Sequence, residues 1–414
     1  MSKGLLDQWL RRFGRTLHPL LDPDGFERDV ARTTAATQRQ LQELTKAIEQ
    51  VSARVDRVER IDRRQSEHLE DTAQQLRYGT RQQLAFSDRL LKVANTDKRT
   101  HFIRERAFRR LRHIGRDRGP VIIGPWTGEV GFELLYWVPF VRWVVERFRI
   151  DPARITLISR GGTASWYGLP DVKYVDLLER RSAKELQEHS AQGKKQKNLR
   201  VFDRRLMREV AAERRGGAGF VHPAIMYAMF TPYWKRVTPE PWVSDIMKNT
   251  RITPPEVPGL ETLPRDYVAV RFYFSDCFPD TPANRALSRS VVDALARTRD
   301  VVVIGSGVQV DDHRDADAGT QARVHTITHL LKPENNLAVQ TAVIARAKSF
   351  IGTYGGFSYL APLCGVDAVG VYSVKNFYAH HLDFAQRMFA EVGGGSLTVV
   401  DTAVSDLIAP LVSR

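Results

Sequence analysis

A buried strand, a break at two glycines and a new helix are predicted by the stretch Ser349-Phe-Ile-Gly-Thr-Tyr-Gly-Gly-Phe-Ser-Tyr-Leu-Ala-Pro-Leu-Cys-Gly-Val366. Gly355 and Gly356 have no Cβ, so their N–H groups can approach a ligand closely. The helix that follows points its positive end and its free amides at the same place. The stretch therefore predicts an anion site that suits a phosphate. The alternative is an ordinary turn between a strand and a helix.

Strands and helices alternate on either side of this stretch. The pattern predicts strands at 267–271, 301–305 and 368–372, with helices at 287–298 and 338–348 between them. Alternation of this kind is typical of a parallel sheet covered by helices. The anion site would lie at the carboxyl edge of that sheet, where α/β proteins bind their ligands.

A second alternating unit comes earlier in the chain. It begins at Gly119 and is predicted to contain strands at 121–126, 155–159 and 172–175 and a buried helix at 132–146. The proline-rich segment 253–259 is the best candidate linker. The sequence thus predicts an α/β protein with two Rossmann-like domains, which are residues 119–258 and 259–414, and a ligand cleft between them.

The first 25 residues predict an amphipathic helix at a membrane surface. Apolar side chains recur at helical spacing from Leu5 to Leu21, with Trp9 among them, opposite Arg11, Arg12 and Arg15. The alternative is a short helix that packs on the protein itself.

A heptad pattern in residues 26–95 predicts a long coiled-coil helix that forms a homo-oligomer. Asp62 and Gln65 would make a polar layer that fixes the register. The alternative is a long helix folded against the body of the same chain. The two seams are Leu41, Ile48, Val55, Asp62, Leu69 and Leu76, and Leu44, Val51, Val58, Gln65, Thr72 and Gly79.

Positive charge is concentrated in a basic connector, residues 96–118. The chain carries +14 overall, and the segment from Lys98 to Arg118 has nine Lys or Arg against Glu105 and Asp117, which accounts for +7. A charged segment of this kind suits an anionic membrane surface or a solvated face. The sequence has no zinc-finger, RNP or helix-turn-helix pattern, so we expect no nucleic-acid partner.

Composition restricts the class of protein further. At 414 residues and 43% hydrophobic content, the chain can bury two cores and still have a polar extension. Cys277 and Cys364 are too few for a disulfide framework, and no apolar run is long enough for a membrane span. We expect a cytoplasmic protein, peripheral at the inner face of the plasma membrane. The sequence suggests neither a cofactor nor a metal site, because no Asp-x-Asp run or metal-ligand spacing occurs.

Residues 335–366 resemble the donor-binding half of GT-B glycosyltransferases, in particular the heptosyltransferase-like and fucosyltransferase-like groups. The resemblance is clearest over 330–375, weaker over 119–145 and absent from the coiled coil. It implies a nucleotide-sugar donor, a glycan or lipid-linked acceptor in cell-surface polysaccharide synthesis, and an inverting, metal-independent transfer. It also implies a donor diphosphate held by Thr353, Tyr354, Gly355, Gly356, Phe357 and Ser358.

Arg271 is similar to the strand-end arginine of fucosyltransferase-like enzymes, where a guanidinium can bridge two phosphate oxygens. The chain departs from that pattern in having Phe272-Tyr-Phe-Ser-Asp276 in place of a second arginine and a Gly-Asp pair. The resemblance therefore implies a donor contact, and a surface ion pair is the alternative. Arg160, followed by two glycines at another strand end, is the candidate acceptor contact.

The catalytic base is expected in Gly128-Glu-Val-Gly-Phe-Glu133. Heptosyltransferase-like enzymes have an acid at this helix start, six residues before a proline, and Glu133 stands six before Pro139. Glu129 is the candidate in the loop. An inverting transfer needs such a group to take the proton of the attacking hydroxyl. The alternative is that either acid merely stabilises the start of the helix.

Histidines give weaker candidates. His222 is another candidate base, and His380 and His381 are candidates to border the nucleotide, although a lone histidine is more often structural. Two other functions fit the same scaffold: a nucleotide-sugar epimerase, and a non-catalytic coiled-coil scaffold at the membrane.

Overall fold

The computed structural model describes residues 38, 41–47, 49–50, 98–191, 195–214, 216–305, 314–317, 319 and 321–407. The chain forms two compact units. One consists of Met1–Arg110 with Ala228–Trp242, and the other of Leu111–Tyr227 with Val243–Arg414. This division differs from the predicted domain boundaries, because the second unit contains both predicted Rossmann-like domains except for residues 228–242. Within that unit we call the part before residue 259 the first lobe and the rest the second lobe.

The first lobe is built on a parallel sheet with the strand order β3-β2-β1-β4. Val121 pairs with Ile155 on one side and with Gly219 on the other. The described strands are β1 (Val121–Ile123), β2 (Ile155–Ser159), β3 (Lys173–Asp176) and β4 (Gly219–Val221). β1 is shorter than predicted and ends before Gly124-Pro125, since proline has no N–H for the ladder.

The helix after β1 contains a π-helical turn. It begins as α1 (Val130–Phe132), widens into a π-helix over Glu133–Trp137 and continues as α2 (Val138–Arg147). Pro139 lies where the π-helix ends, and its missing N–H favours a break in the regular bonding pattern. The other first-lobe helices are α3 (Ala164–Tyr167), α4 (Leu177–Arg180), α5 (Ala183–Ala191) and α6 (Val201–Ala212). The boundary between the two units passes through α7 (Pro223–Trp234) and through the short α8 (Pro241–Ser244).

The second lobe has a larger parallel sheet with the strand order β12-β11-β10-β5-β7-β9 and a separate antiparallel pair, β6-β8. The predicted parallel α/β architecture is confirmed in both lobes. The described strands are β5 (Tyr267–Arg271), β6 (Tyr273–Phe274), β7 (Asp300–Val303), β8 (Arg314–Asp315), β9 (Val324–Thr326), β10 (Ser349–Thr353), β11 (Asp367–Tyr372) and β12 (Leu397–Asp401).

Helices cover this second sheet. Its central strands, β5 and β10, are buried along almost their whole length and mostly apolar, as expected for strands covered on both faces. Val268, Val270 and Ile351 pack against Val292 and Leu295 in the main core. The helices are α9 (Pro282–Ala296), α10 (Asn336–Arg346), α11 (Gly356–Leu363) and α12 (Ala379–Glu391).

Hydrogen bonds connect the two lobes on one side of the cleft between them. The N–H of Ala338 donates to the carbonyl of Gly161 at 2.8 Å. The indole N–H of Trp166 donates to the Thr341 hydroxyl at 2.8 Å, and both side chains are fully buried. These contacts fix the start of α10 against the loop after β2.

The predicted amphipathic helix of residues 1–25 and most of the heptad region lie outside the described residues. Leu41 and Leu44, the first seam positions, are in a helical segment and are each 40% exposed. The membrane and oligomer interpretations of this region therefore stay predictions. In the described residues no helix is both long and apolar enough to cross a bilayer.

Residues 98–116 are helical. In the N-terminal unit, the Arg104 guanidinium lies 4.4 Å from the centre of the Trp242 ring and donates to the Trp242 carbonyl at 3.2 Å. Ile103 and Ala107 are buried, while Lys98, Glu105 and Arg109 are exposed. The connector is thus an amphipathic helix with a charged outer face.

Candidate functional site

A cavity of about 610 Å³ lies between the two lobes of the second unit. It forms at the carboxyl ends of β1, β5, β10 and β11, because the loops that leave these parallel strands emerge at the same edge. Six residues of the predicted site line this cavity: Glu129, Arg271, Tyr354, Gly355, Gly356 and Phe357. Four others, Glu133, Arg160, Thr353 and Ser358, do not.

The glycine pair is packed against the loop of the first lobe. A Cβ placed on Gly356 would lie 2.8 Å from Cγ1 of Val130 and 2.9 Å from the backbone nitrogen of Gly131. Gly131 packs against Gly356 in turn, because a Cβ placed on Gly131 would lie 3.5 Å from the Cα of Gly356. Small residues in both loops therefore allow the two helix starts to meet at the cavity.

The N-terminus of α11 faces this cavity. The Gly355 N–H donates to the Ser358 hydroxyl at 3.0 Å, and that hydroxyl donates to the Gly355 carbonyl at 2.7 Å. Ser358 is fully buried, so it caps the helix and does not reach a ligand. The next N–H groups, from Gly356 onward, have no acceptor within a helix. They form the anion-binding end that the sequence predicts.

Thr353 has a structural position. Its hydroxyl accepts from the Tyr273 N–H at 3.0 Å and donates to the Tyr273 carbonyl at 2.8 Å, and the side chain is fully buried. It therefore holds β10 to β6. Tyr354 lines the cavity, with its hydroxyl 2.6 Å from that of Tyr359. Burial raises the pKa of Tyr354 to about 12, so the phenol stays neutral.

Arg271 is a buried cation in the wall of the cavity, 6% exposed. Its Nη1 donates to the amide oxygen of Gln340, and its Nη2 lies 3.3 Å from a carboxylate oxygen of Asp315. The guanidinium carbon lies 3.9 Å from the centre of the Phe357 ring. Its third nitrogen, Nε, is buried and has no partner among the described residues. Such a buried donor is costly unless a ligand satisfies it.

Glu129 lines the cavity from the first lobe and is partly exposed. It occupies the N-cap position of α1, and its side chain makes no capping hydrogen bond. Any stabilisation of the helix start by this carboxylate therefore does not act through a capping hydrogen bond.

Glu133 is fully buried in the first lobe. Its Oε1 accepts from the Ser159 hydroxyl at 2.6 Å and the Tyr167 hydroxyl at 2.8 Å, and its Oε2 lies 3.5 Å from Arg160. Burial raises its pKa, and Arg160 and the two hydroxyl groups oppose that shift. The π-helix turns this side chain into the lobe, so Glu133 does not meet the cavity as predicted for a base.

Arg160 has a different position from the predicted acceptor contact. It is 6% exposed and does not line the cavity. Its guanidinium donates to the Gly128 carbonyl at 2.6 Å and pairs with Glu133. A buried arginine is stable only when acceptors surround its guanidinium. Since the Gly128 carbonyl is one of these acceptors, the Arg160 side chain holds the loop that carries Glu129.

His222 is also buried, which removes it from the candidates for the base. It is fully enclosed, and its Nδ1 accepts from the Ala224 N–H at 3.1 Å. Its Nε2 and that of His189 each lie 3.4 Å from Asp203. Burial alone would raise the pKa of Asp203, but bonds from the two histidines hold it well below its ordinary value.

His381 does border the cavity, as the sequence suggested, and His380 does not. Nδ1 of His381 lies 2.7 Å from the Tyr136 hydroxyl. The His381 ring centre lies 5.5 Å from that of Phe132, which also lines the cavity. Burial lowers the pKa of His381 to about 3, with smaller contributions from His380 and Lys195.

Sequence reasoning missed several lining residues. Tyr273 and Asp276 come shortly after Arg271, in the loop that leaves a predicted strand. Because ligands bind at the carboxyl ends of such strands, this place could have identified them as lining residues. Lys195 has no local sequence signal, because the approach of its Nζ to the centre of the Phe132 ring, at 5.1 Å, depends on tertiary packing. In the part of the chain that the structure describes, no group of three or more His, Cys, Asp or Glu could hold a metal ion.

Comparison with known proteins gives structural likenesses alone. No family model matches the chain, and no curated protein matches its sequence. The solved structures similar to it include heptosyltransferase II from E. coli, at 11% identity over 68% of this chain and 90% of that one, with a TM-score of 0.36. A family 9 glycosyltransferase from Veillonella parvula shares 15% identity over 72% and 90%, with a TM-score of 0.38.

A third similar structure is described as a UDP-N-acetylglucosamine 2-epimerase from Listeria monocytogenes, at 10% identity over 61% and 79%, with a TM-score of 0.29. All three TM-scores are below 0.5, so these matches do not establish what this chain does.

Proposed function

We propose that this chain is a GT-B-type glycosyltransferase that moves a sugar from a nucleotide-sugar donor to a glycan or lipid-linked acceptor. The observation that carries the proposal is the buried, unpartnered Nε of Arg271 beside the free amide end of α11. A cation and a helix N-terminus in one cavity wall suit a diphosphate, because its oxygens can accept from Nε of Arg271 and from the free amides of α11. The resemblance of residues 335–366 supports the same ligand.

The proposed reaction is an inverting transfer with Glu129 as the base. The Glu129 carboxylate takes the proton of the acceptor hydroxyl, whose oxygen forms a bond to the anomeric carbon. The bond from that carbon to the diphosphate oxygen breaks, and its electron pair leaves with the nucleoside diphosphate. Arg271 and the amides of α11 stabilise the charge that develops there, so the proposed chemistry places no metal ion at the diphosphate.

Nucleotide binding tests the donor site directly. Wild type, Arg271→Ala and the control Arg289→Ala are titrated with ADP, GDP, UDP and their sugar conjugates by calorimetry and thermal shift. Arg289 is an exposed arginine of the same lobe that pairs with Asp317, so its loss removes the same charge outside the cavity. We expect one base to bind, and Arg271→Ala to weaken that binding by about tenfold or more, as for a charge-assisted hydrogen bond.

The alternative functions give different results. An epimerase would convert a free nucleotide sugar into its epimer with no acceptor present, which NMR of the sugar region detects. A scaffold would bind none of the nucleotides. Absence of nucleotide binding by the folded wild type contradicts the proposed function.

The proposal includes an anionic membrane surface as a partner. The helix of residues 98–116 exposes Lys98, Arg109 and Arg112, and each basic residue close to an anionic bilayer contributes roughly 1 kcal/mol. Co-sedimentation with phosphatidylserine and phosphatidylcholine vesicles tests it. Arg109→Glu with Arg112→Glu should reduce binding to the anionic vesicles by about tenfold or more. The matched control reverses two exposed arginines of the second lobe, Arg289 in α9 and Arg297 just after its end. An equal loss in both double variants, or equal binding to both vesicle types, refutes a specific contact.

We also propose that the heptad region makes the protein a homo-oligomer. Ile48→Asp together with Val55→Asp would add two carboxylates to a seam that already contains Asp62, which should destabilise the coiled coil strongly. Sedimentation equilibrium of the full chain should then show a monomer in place of the oligomer. An unchanged mass for that variant contradicts assembly through these residues.

A further inference from the structure

A hydrogen bond crosses the cavity wall from one lobe to the other between Tyr136 and His381. Tyr136 belongs to the π-helix of the first lobe, and His381 to the first turn of α12 in the second lobe. The Tyr136 hydroxyl lies 2.7 Å from Nδ1 of the imidazole. Tyr136 is fully buried and stacks on Phe384 at 5.4 Å, so the hydroxyl is held in place.

The second ring nitrogen of His381 remains for a ligand. The imidazole lines the cavity and is partly exposed, and Nε2 has no hydrogen-bond partner among the described residues. Packing fixes the plane of the ring between Phe132, at 5.5 Å, and His380, at 4.5 Å. Nε2 is thus a positioned polar atom in the cavity wall.

The proton of this ring belongs on Nε2. Titratable groups around the imidazole are Tyr136, His380, Tyr378 and Lys195, and burial with the nearby positive charges lowers its pKa to about 3. The ring is therefore neutral at neutral pH and carries one N–H. The O–H of a phenol is a stronger acid than the N–H of a neutral imidazole. We therefore assign the Tyr136 hydroxyl as the donor to Nδ1 of His381, which leaves the proton of the ring on Nε2.

We propose that His381 donates a hydrogen bond from Nε2 to an oxygen of the transferred sugar, with Tyr136 as its positioning residue. The inference rests on the proposed function. Under that function the anomeric carbon lies between the diphosphate at Arg271 and the base Glu129. His381 packs against Phe132, three residues after Glu129, while it belongs to the lobe of Arg271. It therefore stands at the boundary where the sugar must be held.

This role differs from that of a catalytic base. A neutral imidazole with its proton on Nε2 offers no lone pair to the cavity, and a group that protonates only near pH 3 is a weak base at neutral pH. The same features make a good neutral donor, because the ring adds no charge to a cavity that already has Arg271 and Lys195.

Binding of two probes separates a sugar contact from a diphosphate contact. The probes are the tightest nucleoside diphosphate of ADP, GDP and UDP, and the tightest of ADP-glucose, GDP-mannose and UDP-glucose, each titrated by calorimetry. His381→Leu should weaken the nucleotide sugar by about tenfold and change the nucleoside diphosphate by less than about twofold. His381→Gln, which restores an N–H donor, should recover part of the loss. Tyr136→Phe should also weaken binding of the nucleotide sugar and not of the nucleoside diphosphate, but by less than His381→Leu does.

His380→Gln is the matched control, since this neighbouring histidine does not line the cavity. In wild type, the affinity for the nucleotide sugar should stay constant between about pH 6 and pH 8, because neither the His381 ring nor the esterified diphosphate titrates there. An equal loss of both probes in His381→Leu, an unchanged sugar affinity, or no recovery in His381→Gln overturns the inference. If wild type binds neither probe, the proposed function itself fails. If wild type binds both and His381→Leu matches it, only the role of His381 fails.

Discussion

The guanidinium of Arg271 lies 3.9 Å from the centre of the Phe357 ring, so a residue at the end of β5 is stacked on the first turn of α11. This stacking joins the two features that the sequence predicted separately, the strand-end arginine and the glycine-helix motif. It places the cation beside the free amides of the helix. The two parts of the anion site are therefore positioned by one contact between them.

Replacing Phe357 should weaken the site without removing it. Phe357→Leu loses the ring face that holds the guanidinium, and a cation–π contact of this kind contributes about 1 kcal/mol. We expect nucleoside diphosphate affinity to fall by about fivefold by calorimetry. Phe357→Tyr keeps a ring and should bind as wild type does. A fivefold loss of affinity in both variants would show that Phe357 acts through its packing and not through its contact with the guanidinium.

Gln340 should act on the nucleotide through Arg271. It is fully buried on α10, and its amide oxygen accepts from Nη1 of Arg271. Gln340→Leu leaves that donor without a partner and frees the arginine to turn, so we expect a loss of affinity of about tenfold. Gln340→Glu keeps an acceptor and should retain more affinity. In the background of Arg271→Ala, Gln340→Leu should have little further effect, and additive losses would contradict the coupling.

The two glutamates should separate in their effects. Glu129→Gln removes the proposed base from the cavity wall, so turnover should fall by about 100-fold or more while nucleotide affinity stays the same. Glu133→Gln leaves buried Arg160 without its charged partner, so it should lower the free energy of unfolding by about 1 to 3 kcal/mol. Steady-state kinetics measures the turnover of each variant, and urea unfolding measures its free energy of unfolding. A stable Glu133→Gln protein with abolished turnover would assign the base to Glu133.

Asp203 should make stability depend on acid pH. Its pKa is lowered in the fold by His189 and His222, so its stabilising effect is complete above its ordinary pKa and lost as pH falls through the lower folded value. Asp203→Asn should lower the free energy of unfolding at pH 7 by about 3 kcal/mol and weaken the fall in stability below about pH 4. Thermal melts from pH 7 to pH 3 measure this. Parallel curves for the two proteins would contradict it.

Gly356→Ala should damage the site through the backbone. The added Cβ meets Val130 and the Gly131 nitrogen at 2.8 and 2.9 Å, so one of the two loops must move. We expect nucleotide affinity to fall by about tenfold or more, because the amides of α11 then no longer face the ligand. Gly217→Ala is the control, since a Cβ there has no atom within 4 Å. Wild-type affinity in Gly356→Ala would show that the close packing has room to relax.

The strands and their parallel arrangement could be predicted because each one is a local signal. The strands at 155–159 and 267–271 have the predicted bounds, since a short apolar run between turn residues is enough to define a buried strand. β4 and β12 were missed. Gly219–Val221 is too short for a pattern, and Leu397–Asp401 alternates weakly after a glycine-rich turn.

The site was predicted only in part. The sequence predicts which residues lie at the carboxyl edge of a sheet, but it does not predict in which direction each of their side chains points. Arg271, Glu129 and the glycine pair reach the cavity as a strand-end residue and loop residues should. Thr353 and Ser358, in the same motif, turn inward and satisfy backbone groups. Alternate residues of a strand point to opposite faces, and a capping side chain folds back on its own helix, so neighbours in sequence need not share a site.

The sequence by itself determined the parallel α/β class, the glycine break before α11 and the arginine at the end of β5, all of which depend on residues close together in the chain. The tertiary structure decided which acid meets the cavity, because the π-helix turns Glu133 into the lobe and leaves Glu129 at the surface of the cleft. It also brought Tyr136 to His381 and Gln340 to Arg271, across 245 and 69 residues. The first pair is set by how the two lobes pack and the second by how α10 packs against β5, and no local pattern encodes that packing.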